Sequence, residues 1–265
     1  MKSAAPRFTR AIVRRPGSTF ASGLSAANEG PPDLAGALEQ HARYCDALVG
    51  CGLRLTYLEP DEALPDGTFV EDTALVTGRG AILTRPGAPT RSGEVDSVAA
   101  ALRMFYGHVQ PIAGPGTVDG GDVCEAEGHF LIGISARTNE AGASQLAEHL
   151  RHMHYTAGIV DIRSLEGLLH LKSGLAYLGE GVWLADAAIQ NVLRSSAAPV
   201  RELIEVSAGE RYAANCVRLN DAVLMAEGYP RVAGALRDKG FTPIPLEMSE
   251  FRKMDGGLSC LSLRF

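Results

Sequence analysis

The sequence predicts a single α/β domain, residues 1–265, in which five similar units close around a central axis. Three observations predict it. Amphipathic helical stripes open at Asp33, Ser92, Asn139, Asp186 and Pro230, one per roughly 45 to 60 residues. About two or three short β-type runs fall in each interval, too many for a doubly wound sheet in which strand and helix alternate. No Pro- or Ser-rich linker interrupts the series, so the units belong to one body rather than to separate domains. Side-chain identity does not repeat; the repeat is architectural.

In chain order, Ala11-Ile12-Val13 reads as an opening strand that runs into a Pro-Gly turn. The basic residues around it, Lys2, Arg7, Arg10, Arg14 and Arg15, share the composition of a transit peptide, but the strand is the better reading. Asp33 caps LAGALEQHARYCDALVGCG, which ends on a glycine, and LRLTYLE follows as a strand. FVEDTALV and GAILT read as strands ahead of GEVDSVAAALRMF, the helix that Ser92 opens. HFLIGI and AGIVDI flank the Asn139-capped helix EAGASQLAEHLRHM. LAYLG and GVWLA precede AAIQNVLRSS, capped by Asp186. NCVRLN and AVLMA precede RVAGALRDKG, which has Pro230 near its start and a closing glycine, and FTPIPL follows.

Composition narrows the function classes. The chain is 46% hydrophobic and 21% charged with mean hydropathy +0.02, the profile of a globular protein. No apolar run approaches the ~18 residues of a spanning helix. The net charge is −6 with Lys and Arg dispersed, so neither nucleic acid nor an anionic membrane is an expected partner. Small-molecule chemistry is. The five cysteines, Cys45, Cys51, Cys124, Cys216 and Cys260, cannot all pair and show no C-x-x-C spacing, which fits a reducing cytoplasm.

Few residues can carry chemistry. Cys260 follows Gly256-Gly257, where backbone can approach a ligand or take φ > 0; its alternative is a small buried hydrophobe. The other four cysteines sit within helical or strand periodicity and read as core. His170 interrupts Leu168-Leu169-His170-Leu171, and is either a satisfied core imidazole or an acid/base. His149, His152 and His154 cluster at a helix end and read as solvated surface. Glu71-Asp72 place two carboxylates in a β-prone apolar run, where alternation buries at least one; a buried carboxylate needs a cation or several donors. Asp119 lies in GTVDGGD, whose alternative reading is a plain turn.

Taken together, FVEDTALV, GTVDGGDV, ISARTNEAGA, LLHLKSG, YAANCVRLN and SEFRKMDGGLSCLSLRF, in this order, resemble the dimethylarginine dimethylaminohydrolases, from about Arg10 to Phe265. The resemblance implies the guanidine-modifying pentein fold, a five-bladed α/β propeller of ββαβ-type units. It also implies hydrolysis of Nω-methylated arginines to citrulline and a methylamine. Carried over by motif, Cys260 is the nucleophile, His170 the general acid/base and Asp119 the third acidic residue, at a position the family fills with Asp or Glu. Glu71 and Asp72 match the guanidinium-binding acids. Asp66 and the backbone of Leu24, in a lid after Gly23, match the α-amino contacts. Arg91 and Arg137 match the carboxylate grip, and Met254 a substrate-contacting backbone position. A homodimer is the implied assembly.

These residue types suit the reaction. A protonated guanidinium has a poorly electrophilic carbon, and buried acids both orient the cation and are offset by it. A thiol of pKa ~8.5 is only a few per cent thiolate at pH 7, and a cation within a few Å favours the anion. The departing amine must be protonated, which calls for an imidazole. No step calls for a metal or an organic cofactor. Asp119 either orients His170 or shares the guanidinium. Other readings are an arginine or agmatine deiminase, an amidino transferase that excludes water at the second step, and a non-catalytic propeller binding protein, which needs neither Cys260 nor His170.

Overall fold

Local capping sets the helices. Asp33 accepts from the Gly36 N–H at 2.7 Å, Asn139 from the Gly142 N–H at 2.8 Å and Asp186 from the Ala188 N–H at 2.6 Å, each as the sequence predicts. The structure, a computed structural model, describes residues 7–265; Lys2 of the basic opening stretch lies outside the described residues.

The chain forms five three-stranded mixed sheets. In the first, β1 (Arg10–Arg14) leads through α1 (Leu34–Gly50) to β2 (Arg54–Leu58), parallel to β1. The second contains β3 (Ala74–Thr77), β4 (Gly80–Leu83), α2 (Glu94–Leu102) and β5 (Val109–Pro111). The third contains β6 (Val123–Ala126), β7 (His129–Ile134), α3 (Glu140–His152) and β8 (Thr156–Asp161). The fourth is built from β9 (Leu175–Gly179), β10 (Val182–Asp186), α4 (Ala187–Ser195) and β11 (Glu202–Val206). The fifth is built from β12 (Val217–Leu219), β13 (Ala222–Ala226), α5 (Pro230–Asp238) and β14 (Thr242–Leu246). A short α6 (Ser249–Arg252) then leads to β15 (Leu263–Arg264), which pairs antiparallel with β1 and completes the first sheet. In the other four sheets a hairpin joins the antiparallel pair, and a helix makes the longer crossover that a parallel neighbour requires.

Three local expectations change. Val70–Thr73, read as strand, form a 3₁₀ turn ahead of β3. Helix α2 begins after Gly93 instead of Ser92, because Ser92 has αR geometry and donates its N–H to the Pro89 carbonyl, continuing the 3₁₀ turn Pro89–Arg91. Cys51, read as core, is only half-buried.

Five apolar cores lie between successive sheets. The middle strand of each sheet sends alternate side chains to two of them. Ala11 and Val13 enter one core and Ile12 the next; Leu131 faces one way and Phe130 and Ile132 the other. Leu184 and Trp183 divide likewise, as do Val223 and Leu224. Burial on both faces is why these strands read as unbroken apolar runs such as AIV and HFLIGI. Among the described residues no helix is long and apolar enough to cross a membrane.

Candidate active site

A 3₁₀ turn stands no more than two residues ahead of one strand of every sheet. The turns are Val70–Thr73 before β3, Gly120–Asp122 before β6, Leu171–Ser173 before β9, Ala208–Ala214 ahead of β12 and Ser259–Leu261 ahead of β15. Successive turns pack together, from the last through the first to the fourth. Residues far apart in sequence thereby meet: Asp72, Asp119, His170 and Cys260 all lie in or beside these turns. The Gly120-Gly121 pair is required by close approach. A Cβ on Gly120 would come within 2.0 Å of the Glu71 carbonyl oxygen, and one on Gly121 within 2.8 Å of the His170 ring.

Cys260 and His170 line a narrow cleft together with Leu24, Asp66, Phe69, Asp72, Arg91, Arg137, Leu169, Met254, Asp255 and Gly256. Cys260 is partly exposed. Burial, and then the charges of Glu71 and Asp72, push its thiol up to about 12. His170 Nε2 is 3.0 Å from Asp119 Oδ2. Burial disfavours the imidazolium, yet the charges of Asp72 and Asp122 and the Asp119 bond push His170 up to about 9. Burial likewise opposes the Asp119 charge, while the His170 bond and charge hold its carboxyl below the ordinary range. Cysteine and histidine therefore stand as thiol and imidazolium near pH 7.

Asp119 lies behind His170 and is fully buried; its second oxygen accepts from the Gly87 N–H at 2.8 Å. Asp72 Oδ1 accepts from the Gly121 N–H at 2.8 Å and Oδ2 pairs with Arg91 at 2.7 Å. Arg91 is otherwise held by Glu94 and by the Phe69 carbonyl. Arg137 is the contrasting cation: among the described residues its guanidinium makes no hydrogen bond or ion pair. Asp66 accepts from the Leu24 N–H at 3.0 and 3.2 Å, and burial pushes its carboxyl up. The segment after Leu24 is tied down by Ser25 Oγ to the Lys253 carbonyl at 2.7 Å and the Ala26 N–H to Asp255 at 2.6 Å.

Glu71 is brought close to Cys260 but does not line the cleft. Its Oε1 pairs with Lys172 at 2.6 Å and Arg264 at 3.0 Å, and its Oε2 accepts from Ser259 Oγ at 2.7 Å. Both carboxylates of the pair are buried, but only Asp72 faces the cleft. Asp72, Asp119 and His170 are the one group of three metal-type ligands among the described residues, with atoms within 4.8 Å; His170 is bonded to Asp119, and Asp72 is paired with Arg91.

Sequence reasoning assigned no role to Asp122, Lys172, Asn215, Ser259 or Arg264. Asp122 is fully buried, accepts from Ser135, Thr138 and the Leu171 N–H, and anchors the residue after His170. Its signal was available: a second acid in GTVDGGD, immediately ahead of the strand-forming Val123-Cys124.

A thiol and an imidazole lining one cleft, with acids for a cation, define on this fold the guanidine-modifying class; the family pattern described as arginine deiminase matches residues 56–195. The chain is 44% identical over 259 residues to the N(G),N(G)-dimethylarginine dimethylaminohydrolase of Pseudomonas aeruginosa, spanning 97% of this chain and 100% of that protein. It belongs to the dimethylarginine dimethylaminohydrolase family. A Cys-to-Ser mutant of the Pseudomonas aeruginosa enzyme complexed with citrulline superposes with TM-score 0.91 at 42% identity, covering 98% of this chain and 100% of that one. A His-to-Gly variant of a dimethylarginine dimethylaminohydrolase, in adduct with S-methyl-L-thiocitrulline, gives TM-score 0.91 at 42% identity, covering 97% and 100%.

Proposed function

We propose that this chain hydrolyses Nω-methylated arginines, asymmetric dimethylarginine and monomethylarginine, to citrulline plus dimethylamine or methylamine. The observation that carries the reading is the convergence of Cys260, His170, Asp72, Asp66 and Arg137 on one cleft from distant parts of the chain. In this reading Arg137 grips the substrate carboxylate, with the fully bonded Arg91 as a fixed positive charge behind it. Asp66, the Leu24 backbone and the Met254 backbone hold the amino-acid end. Asp72 faces the guanidinium, and Glu71 supplies charge from one layer below.

The substrate brings its own activation. Its cation, placed beside a thiol that burial and two acids hold protonated, favours the thiolate, and the thiol proton passes to solvent because His170 already carries one. Cys260 sulfur adds to the guanidinium carbon, giving a tetrahedral adduct. His170, already an imidazolium, donates its proton to the methylated nitrogen, and the amine leaves with the C–N electron pair. An S-alkylthiouronium results. The now neutral His170 takes a proton from water, hydroxide adds to the same carbon, and the C–S bond breaks as the hydroxyl proton passes to the departing sulfur, returning the thiol and citrulline. Asp119, with both oxygens bonded away from the cleft, orients the imidazole.

The same reading takes residues 1–265 as one catalytic domain whose sheets close into a five-bladed propeller. The five cores, each shared by two successive sheets, support this closure. The five unpaired cysteines fit the reducing cytoplasm, and a homodimer is the expected assembly. A mass-spectrometric assay of arginine, monomethylarginine, asymmetric dimethylarginine and agmatine tests the substrate: turnover restricted to arginine or agmatine overturns it in favour of a deiminase. The alkylation rate of the free protein at Cys260 should climb through pH 9 and beyond; a free thiol titrating near pH 6 overturns substrate-assisted activation.

A further inference from the structure

Four of the five equivalent turns carry residues already given a role; the turn Ala208–Ala214 carries none. The residue that follows it, Asn215, is buried. Its Nδ2 donates to the Lys172 carbonyl at 3.0 Å and to Ser259 Oγ at 3.1 Å, and its Oδ1 accepts from the Ser259 N–H at 2.9 Å. One amide thus spans the residue two beyond His170 and the residue before Cys260. Arg264, on β15, grips the same turn from the other side: its Nη1 donates to the carbonyls of Ser259 at 3.0 Å and Ser262 at 2.8 Å, and its Nη2 to Glu71. Ser259 therefore has its N–H, carbonyl and hydroxyl all fixed by side chains from three separate elements. Gly257 belongs to the same fit, since a Cβ there would lie 2.5 Å from the Asn215 side chain.

We infer that Asn215 and Arg264 are positioning residues that hold the Cys260 sulfur in place in the cleft it shares with His170, acting through Ser259. This rests on the proposed roles of Cys260 and His170. Neither Asn215 nor Arg264 lines the cleft, so their loss should leave substrate affinity nearly intact while misplacing the nucleophile. Removing Arg264 also leaves the Glu71 charge less compensated beside the sulfur, whereas lysine at that position restores the charge but only part of the bonding.

The experiment measures kcat, KM and the pH profile of Cys260 alkylation by iodoacetamide in the full chain and in N215A, R264Q and R264K. The expected result is a kcat lowered about 10- to 100-fold in N215A and R264Q, with KM within about threefold. In R264Q the alkylation profile should move to higher pH, and R264K should return it towards the parent's. A kcat within about twofold of the parent in both variants, or a KM that rises in step with the loss, overturns the inference. Should either variant fail to fold, S259A removes only the hydroxyl between Asn215 and Glu71; a kcat about three- to tenfold down at unchanged KM supports the inference, and an unchanged kcat overturns it. A parent protein without turnover, or without alkylation at Cys260, fails the functional reading itself.

Discussion

Cys260 separates two regions that treat buried charge in opposite ways. On the cleft side, Arg137 has no hydrogen-bond or ion-pair partner among the described residues, and Asp66 is hydrogen-bonded by the backbone of Leu24 with the Arg91 and Arg137 charges near it. On the core side, Glu71 is shared among Lys172, Arg264 and Ser259, and Asn215 closes the ring. Open bonding capacity marks where a charged ligand gains most, because a group without a partner is stabilised when one arrives. Saturated capacity marks what holds the geometry still. Two neighbouring residues face the two regions: Glu71 is bonded on the core side, and Asp72, held by Gly121 and Arg91, is the bonded charge that faces the cleft.

The sharpest break in the comparison is at the sulfur itself. C260S should abolish turnover while binding of a substrate analogue, followed by calorimetry, stays within about threefold. H170A should form adduct slowly and then stall, so that intact-protein mass spectrometry finds an accumulated covalent species; steady turnover in both variants would dismantle the mechanism. Next come the paired acids. E71Q should lower stability by about 3 kcal/mol in denaturant unfolding, since Lys172 and Arg264 lose their shared counter-ion in a largely buried place. D72N leaves Arg91 its Glu94 partner, so it should cost less stability and more kcat/KM. Equal effects of the two would erase the distinction between the regions.

On the cleft side alone, R137A should raise KM for methylarginines about 10- to 100-fold and alter little for a decarboxylated analogue. The smallest effect concerns pH. His170 titrates higher in the folded protein than the ordinary ~6.5, so the folded state binds its proton more tightly and gains stability that is fully present below about pH 6.5. That contribution is lost as pH rises through about 9. The melting temperature should therefore fall over this interval, and H170A should flatten the fall.

Much of this architecture is legible in the residues. Asp33, Asn139 and Asp186 cap helices because a short acceptor side chain ahead of an apolar stripe satisfies free N–H groups wherever it occurs. The short strands β5, β6, β11 and β15 escape sequence reading, since two to five residues carry too little periodicity; β6 is further masked by the Gly-Gly ahead of it. Cys260, His170, Asp119 and Asp72 are recognisable by chemical type and motif. Asn215 and Arg264 are not, because an amide and a guanidinium occur everywhere and their partners lie 43 and 193 residues away.

The sequence by itself determined five of the six helices, most of the strands and the set of reactive residue types, because these depend on neighbours within a few positions. Only the tertiary structure decided which way each charge faces. As a strand, Glu71 and Asp72 would point to opposite faces; as a 3₁₀ turn packed between the turns Gly120–Asp122 and Ser259–Leu261, they stand about 120° apart and both turn inward, one to the cleft and one to the anchor of the nucleophile. Direction of that kind is set by packing between elements that meet only when the chain has folded.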